Sequence, residues 1–292
     1  MVSTEKKALK TLRLLMPQWQ GGNNGVPYPI GARLLAWLAP ESDAPLVEVP
    51  VEPYRGIEPD RENGVVGKSV LLKQLHTARK IIEAQEPDRI IVFGGDCLVS
   101  QAPFSWLNER YGGKLGVLWI DAHPDVTTPK DFQHEHAMVL GNLLGEGDPD
   151  FAREVKVPLN PKRVMFAGVD ETLPWETEVI TRLKLSRVFS KDVGPGSKPV
   201  LEWIQANNIQ YLAVHLDLDV LDPKLFRSLL FNNPDSDTVI DAAHGKLSFP
   251  QLTGFINDVS TETTVVGMSI AEHMPWDAIN LKNMMEAFAF MK

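Results

Sequence analysis

Short runs of consecutive apolar, mostly β-branched residues recur along the chain. Between them lie longer stretches whose apolar positions return every three or four residues. The short runs predict strands over 12–16, 46–51, 89–93, 115–120, 164–169, 187–189, 211–218 and 264–270. The longer stretches predict helices over 68–84, 98–110, 137–144, 175–185, 199–207, 249–259 and 278–291. Several runs are apolar at every position rather than every second one, which is the pattern of a strand covered on both faces. Alternation of strand and helix predicts an α/β protein: a mostly parallel sheet of about eight strands with helices on both sides. Pro and Gly collect at 21–31 and 193–197, which read as loops. No linker composition and no internal repeat is visible, so residues 1–292 read as a single domain.

Composition narrows the classes. Hydrophobic residues make up 43% and charged residues 23% of the 292, enough for a sizeable core and too apolar for a disordered chain. No apolar run approaches the roughly 18 residues of a membrane helix. Glu5, Lys6, Lys7, Lys10 and Arg13 break up the first 20 residues, which argues against a secretory leader. The net charge of −9, from 38 acidic and 29 basic residues, disfavours a nucleic-acid binder. A single cysteine, Cys97, cannot form an internal disulfide and fits a reducing compartment. A cytoplasmic protein without membrane or nucleic-acid partners is the expectation.

In an open parallel sheet, ligands bind at the carboxyl ends of the strands, so the residues that follow each strand matter most. After 89–93 comes Gly94-Gly95-Asp96-Cys97; after 115–120 comes Asp121-Ala122-His123-Pro124-Asp125. The run 211–218 carries Asp217 and leads into Asp219 and Asp222-Pro223, and 264–270 is followed by Ala271-Glu272-His273. Residues two apart on extended chain share a face, so D-x-H-x-D and D-x-D each present their acids together. Carboxylates and an imidazole aimed at one point repel one another unless cations neutralise them. That donor set suits Mn²⁺, Fe²⁺, Co²⁺ or Zn²⁺ better than Ca²⁺, and shared carboxylates are how two metals come to sit about 3.5–4 Å apart. The bland alternative is that each Asp merely caps the element after it. It serves for one acid and poorly for D-A-H-x-D plus D-x-D on apolar strands of one chain.

These motifs, in this order, resemble those of the ureohydrolases: arginase, agmatinase, formiminoglutamase and relatives. The resemblance runs from Gly94-Gly95-Asp96 through Asp121–Asp125 and His215-Leu216-Asp217-Leu218-Asp219-Val220-Leu221-Asp222-Pro223 to Ala271-Glu272. It implies a three-layer α/β/α sandwich and hydrolysis of a C–N bond in a guanidino or formimino compound, with two divalent ions, Mn²⁺ first. By the same resemblance Asp121 and Asp217 bridge the metals. His123 and Asp219 complete one site, and Asp125 and Cys97 the other. Glu272 takes the family's guanidinium-binding place, Asp125 orients the nucleophile, and His136, with His134 as its rival, shuttles a proton to the leaving amine. Family members are often trimers or hexamers, which implies a homo-oligomer.

The departures are as informative. Cys97 stands where the family normally has His, occasionally Asn. A thiolate there admits Zn²⁺ or Fe²⁺, whereas a buried thiol leaves one metal weak and points to a catalytically impaired protein with a binding or regulatory role. His215 stands where the family commonly has a small residue, as a neighbour of the metal ligands or a steric change. The interval 127–135 is short, and 224–234 replaces the usual Gly/Pro-rich loop after Asp-Pro. Asp170 or Glu171 aligns with an acid that reads the substrate's amino group, or else caps the following helix. Together these make L-arginine an unexpected substrate. A one-metal amide hydrolase of the deacetylase kind, with a similar fold, is disfavoured by D-x-D and Glu272.

Overall fold

The computed structural model describes residues 8–236 and 240–291. The strands, in chain order, are β1 (Thr11–Met16), β2 (Leu46–Glu48), β3 (Arg61–Glu62), β4 (Val65–Val66), β5 (Arg89–Gly94), β6 (Gly116–Ile120), β7 (Val164–Ala167), β8 (Ser186–Val188), β9 (Tyr211–Asp217) and β10 (Thr264–Ala271). The helices are α1 (Pro27–Leu38), α2 (Lys68–Gln85), α3 (Gln101–Arg110), α4 (Val139–Leu144), α5 (Pro149–Arg153), α6 (Pro174–Leu183), α7 (Lys198–Ala206), α8 (Phe249–Glu262) and α9 (Trp276–Ala287). Eight strands form one sheet in the order β2-β1-β5-β10-β9-β6-β7-β8. Every pairing in it is parallel. β3 and β4 make a separate antiparallel hairpin.

Strand β6 shows why the sheet is sandwiched. All five of its residues are buried. Side chains alternate across a strand, and here Val117 and Trp119 enter one apolar cluster while Leu118 and Ile120 enter another. The first cluster is completed by α2 to α5, with Leu71, Leu75, Phe104, Leu107, Val139, Leu143 and Phe151. The second is completed by α7 and α8, with Val200, Trp203, Leu252 and Phe255. Each fully buried Leu or Phe contributes about 1.5–3 kcal/mol relative to exposure. Three layers, helix on sheet on helix, are therefore the packing answer to strands apolar on both sides.

The predicted strands are all present, but 46–51, 164–169, 187–189 and 211–218 close earlier than their apolar runs, at Glu48, Ala167, Val188 and Asp217. One element contradicts the sequence reading: α1 begins inside the segment 21–31 read as a loop. Pro27 and Pro29 lie in its first turn, where no backbone N–H is needed and a fixed φ suits a helix. Gly31 sits there because a Cβ would lie 1.8 Å from the His273 carbonyl oxygen. α1 thereby lies close against the end of β10. No helix among the described residues is long and apolar enough to cross a membrane.

Candidate metal centre

The four central strands β5, β10, β9 and β6 lie side by side, and their carboxyl ends carry the predicted motifs. Register brings the acids together: Ala271 pairs with Asp217, and Leu216 pairs with Ile120, the residue before Asp121. Asp96 locks the turn after β5 by accepting from Gly21 N at 2.9 Å and Leu98 N at 3.1 Å. Gly95 is required in that turn, since a Cβ would meet the Gln18 carbonyl oxygen at 1.8 Å.

All six predicted ligands converge. His123 Nδ1 lies 2.9 Å from Asp219 Oδ2 and 3.6 Å from Asp121 Oδ1. Cys97 Sγ lies 2.9 Å from Asp217 Oδ2 and 3.8 Å from Glu272 Oε1. Three overlapping groups offer donor atoms within 4.8 Å of one another: Asp121, His123 and Asp219; Cys97, Asp121, Asp125 and His215; and Cys97, Asp217 and Glu272. Asp121 joins the first two groups and Cys97 the last two. Backbone amides orient the acids: His123 N donates to Asp121 Oδ1 at 2.7 Å, and Asp219 N to Asp217 Oδ1 at 2.7 Å. Asp125 and Glu272 adopt left-handed backbone, with φ of 51° and 64°. Such positions cost about 1–3 kcal/mol each for a residue with a Cβ. They are held by Gly141 N donating to the Asp125 carbonyl (3.0 Å) and Glu272 N donating to the Gly95 carbonyl (2.8 Å).

The electrostatics ask for a cation. Burial and mutual repulsion raise Asp125, Asp217 and Asp219, and raise Glu272 to about 8. Burial, then Asp217, Asp125 and Glu272, pushes the Cys97 thiol up. Burial opposes a charged imidazole at His123, but Asp219 and Asp121 outweigh it and raise the ring well above its ordinary value. Burial likewise raises Asp121, and the His123 and His215 rings overturn it, holding this carboxyl below its usual range. The buried atoms Asp125 Oδ2 and His215 Nε2 have no hydrogen-bond partner among the described residues. Carboxylates, imidazole and sulfur crowded together, with inward atoms unsatisfied, fit divalent metal ions.

Around this centre, His136 Nδ1 lies 2.8 Å from the Gly21 carbonyl, which can only accept. The proton is therefore on Nδ1, and Nε2 is the basic nitrogen. Burial lowers this imidazole to about 4, aided by His134 and His123 and opposed by the Gly21 carbonyl and Asp121. His134, in contrast, feels Glu58 and Arg61 rather than the acids of the centre. Of the two histidines, His136 is the one whose electrostatics involve groups of the centre, His123 and Asp121. Asp170 accepts from Ser190 N at 2.8 Å and pairs with Lys246 Nζ at 3.0 Å, while Glu171 is mostly exposed. Tyr28 was not legible as a site residue: its hydroxyl donates to Glu272 Oε1 at 2.6 Å. The missed helix α1 carries it, so nothing in the sequence placed it there. A surface cavity of about 860 Å³ opens at the opposite end of the sheet, by Arg89, Gln210 and Thr264, and holds none of these groups.

Fold and site together define a parallel α/β sandwich with a candidate divalent-metal centre at its strand ends. A family model described as the Arginase family matches residues 40–229. The chain belongs to the arginase family. Arginase 1, mitochondrial, of Arabidopsis thaliana is 25% identical over 232 residues, 78% of this chain and 58% of that protein. The arginase of Entamoeba histolytica is 30% identical over 142 residues, 46% of this chain and 48% of its own. The chain thus matches only about half the length of these curated relatives. The crystal structure of Entamoeba histolytica arginase in complex with L-ornithine superposes with a TM-score of 0.74 at 19% identity, covering 94% of this chain and 96% of that one. Formimidoylglutamase from Bacillus subtilis gives 0.65 at 13% identity, covering 91% and 79%. Both support the α/β/α fold.

Proposed function

We propose that this protein is a two-metal hydrolase that cleaves a C–N bond of a guanidino or formimino compound. The convergence of Cys97, Asp121, His123, Asp125, Asp217 and Asp219, with Asp125 Oδ2 unsatisfied, carries the reading. Asp121 is the ligand shared between the two sides, as its place in two donor groups suggests. When bound, the ions supply an acidified water and Lewis-acid polarisation of the substrate.

The chain's own residues supply the rest. Tyr28 and Cys97 both donate to Glu272 Oε1, which leaves Oε2 to accept from a planar cationic amidine and fix its carbon. Asp125 Oδ2, buried and without a hydrogen-bond partner among the described residues, is a free acceptor for the nucleophile's proton. His136 Nε2 can take up that proton and return it to the departing amine, with the Gly21 carbonyl holding the ring in the required tautomer. Buried walls exclude bulk water and strengthen each of these interactions.

Lys246 pairs with both Asp170 and Glu171, either of which could read an ammonium-bearing tail. That pairing favours substrates other than L-arginine. A second reading, a binding protein with impaired catalysis, draws on the Cys97 thiol hydrogen-bonded to Asp217 in place of a histidine ligand. The protein loaded separately with Mn²⁺, Zn²⁺ or Fe²⁺ and assayed for ammonia or urea release on a guanidino and formimino panel decides between them. Product with at least one compound supports the hydrolase; no product with any metal supports the binding protein.

A further inference from the structure

The proposed ligand set leaves one buried side chain unexplained. His215 lies on β9, two residues before Asp217 and on the same face. It is fully buried. Its register neighbours are Trp119 on β6 and Ser269 on β10. Both hold the ring: the Trp119 indole stacks on it at 3.7 Å and 15°, and Ser269 Oγ lies 3.2 Å from Nδ1. Ser100, three residues after Cys97, lies closer still, with Oγ 2.8 Å from Nδ1 and 2.8 Å from Ser269 Oγ.

The two ring nitrogens are treated unequally. Nδ1 has two hydroxyls, whereas Nε2 has no hydrogen-bond partner among the described residues. The nearest acid, Asp121 Oδ2, is 3.6 Å away, beyond hydrogen-bond reach, and already accepts from Trp119 Nε1 at 3.1 Å. A buried N–H left unsatisfied costs about 1–3 kcal/mol. A core histidine held only for packing has no reason to incur that cost. If Nδ1 carries the proton and donates to Ser100, the buried Nε2 presents an unpaired lone pair, which stays costly until a cation takes it. That is how metal-bound histidines are held, one nitrogen on the ion and the other N–H on a fixed acceptor.

Nε2 is also aimed at donors. His215, Cys97, Asp121 and Asp125 are all buried and offer one atom each within 4.8 Å of one another. We infer that His215 Nε2 is itself a metal ligand on the Cys97 side of the centre, supplying from β9 the imidazole that the turn after β5 lacks. This rests on the two-metal reading above and adds a ligand to it. The side so completed combines a sulfur, an imidazole and two carboxylates, and it favours Zn²⁺, Co²⁺ or Fe²⁺ over Mn²⁺.

The test counts imidazoles on the metal. Protein with ¹⁵N-labelled histidine is loaded with Co²⁺ and its hyperfine-shifted ring nitrogens are recorded by NMR. Two shifted rings are expected, those of His123 and His215, and His215→Ala, checked for folding by circular dichroism, removes one of them. A single shifted ring in the parent protein overturns the inference while leaving the metal centre intact. Because the ring count is made on the parent, it stands even if the variant does not fold. Parent protein that takes up no Co²⁺ at all overturns the metal centre and this inference together.

Discussion

Tyr28, on the first helix, donates a 2.6 Å hydrogen bond to Glu272, which follows the last sheet strand and is 244 residues away in sequence. The bond takes one carboxylate oxygen out of play and fixes the direction of the other. Glu272 has left-handed backbone and a carboxyl raised by burial, so it needs a neighbour to hold it ready for a cation. Tyr28→Phe keeps the packing and removes the bond. We expect KM for an amidine substrate to rise about tenfold, in line with the roughly 1.5–3 kcal/mol of a hydrogen bond to a charged group, with a smaller change in kcat. Steady-state kinetics check this; an unchanged KM contradicts the role given to Glu272 Oε2.

The crowded acids make stability depend on pH in a stated direction. Burial first, then Asp219, raises Glu272 from 4.5 to about 8. Between those values the metal-free folded protein holds more protons than the unfolded chain, so its stability falls as pH rises. Thermal unfolding of metal-free protein should show Tm lower at pH 8 than at pH 5.5. Added divalent ions, which bind the ionised acids, should raise Tm most at the higher pH. A metal-free Tm that climbs over this range would falsify the picture of uncompensated buried carboxyls.

Cys97 lies in the apolar core beside the acids, where a thiolate selects softer ions. Cys97→His restores the nitrogen usual in this family. Mn²⁺ occupancy should rise relative to Zn²⁺ when both compete at equal concentration, read by elemental analysis. An unchanged ratio shows that sulfur does not reach the metal.

Lys246 and Asp170 set a further expectation. Gly168, two residues before Asp170, packs against the backbone of Asp121, since a Cβ there would lie 2.9 Å from the Asp121 carbonyl oxygen. Lys246→Met frees the Asp170 carboxylate. Guanidino compounds with an ammonium-bearing tail should gain about tenfold in kcat/KM over neutral-tailed ones, the scale of one recovered ion pair in a partly buried site. An unchanged ratio places this pair outside the substrate path.

Much of this architecture was legible in the chain. Strands such as β6 are apolar at every position because both faces are covered, and that pattern survives without knowledge of partners. The convergence of the candidate ligands was legible because strand ends are short and regular, so D-x-H-x-D and D-x-D report directly on one face. Helix α1 was not, because Pro27, Pro29 and Gly31 are local signals of a turn. Only the Gly31–His273 contact and the helix's first-turn geometry explain them. Tyr28 was lost with it. The orientation of His215 Nε2 also lay beyond the sequence, since it depends on Trp119, Ser100 and Ser269 from three other segments.

Asp121 touches both halves of the centre, so it gives the sharpest test. Equilibrium dialysis followed by elemental analysis should find two divalent ions bound per parent chain and fewer than one per Asp121→Asn chain. Loss of one bridging charge weakens both ions at once. Full occupancy retained by the variant, or a parent chain that binds none, contradicts the paired-metal account.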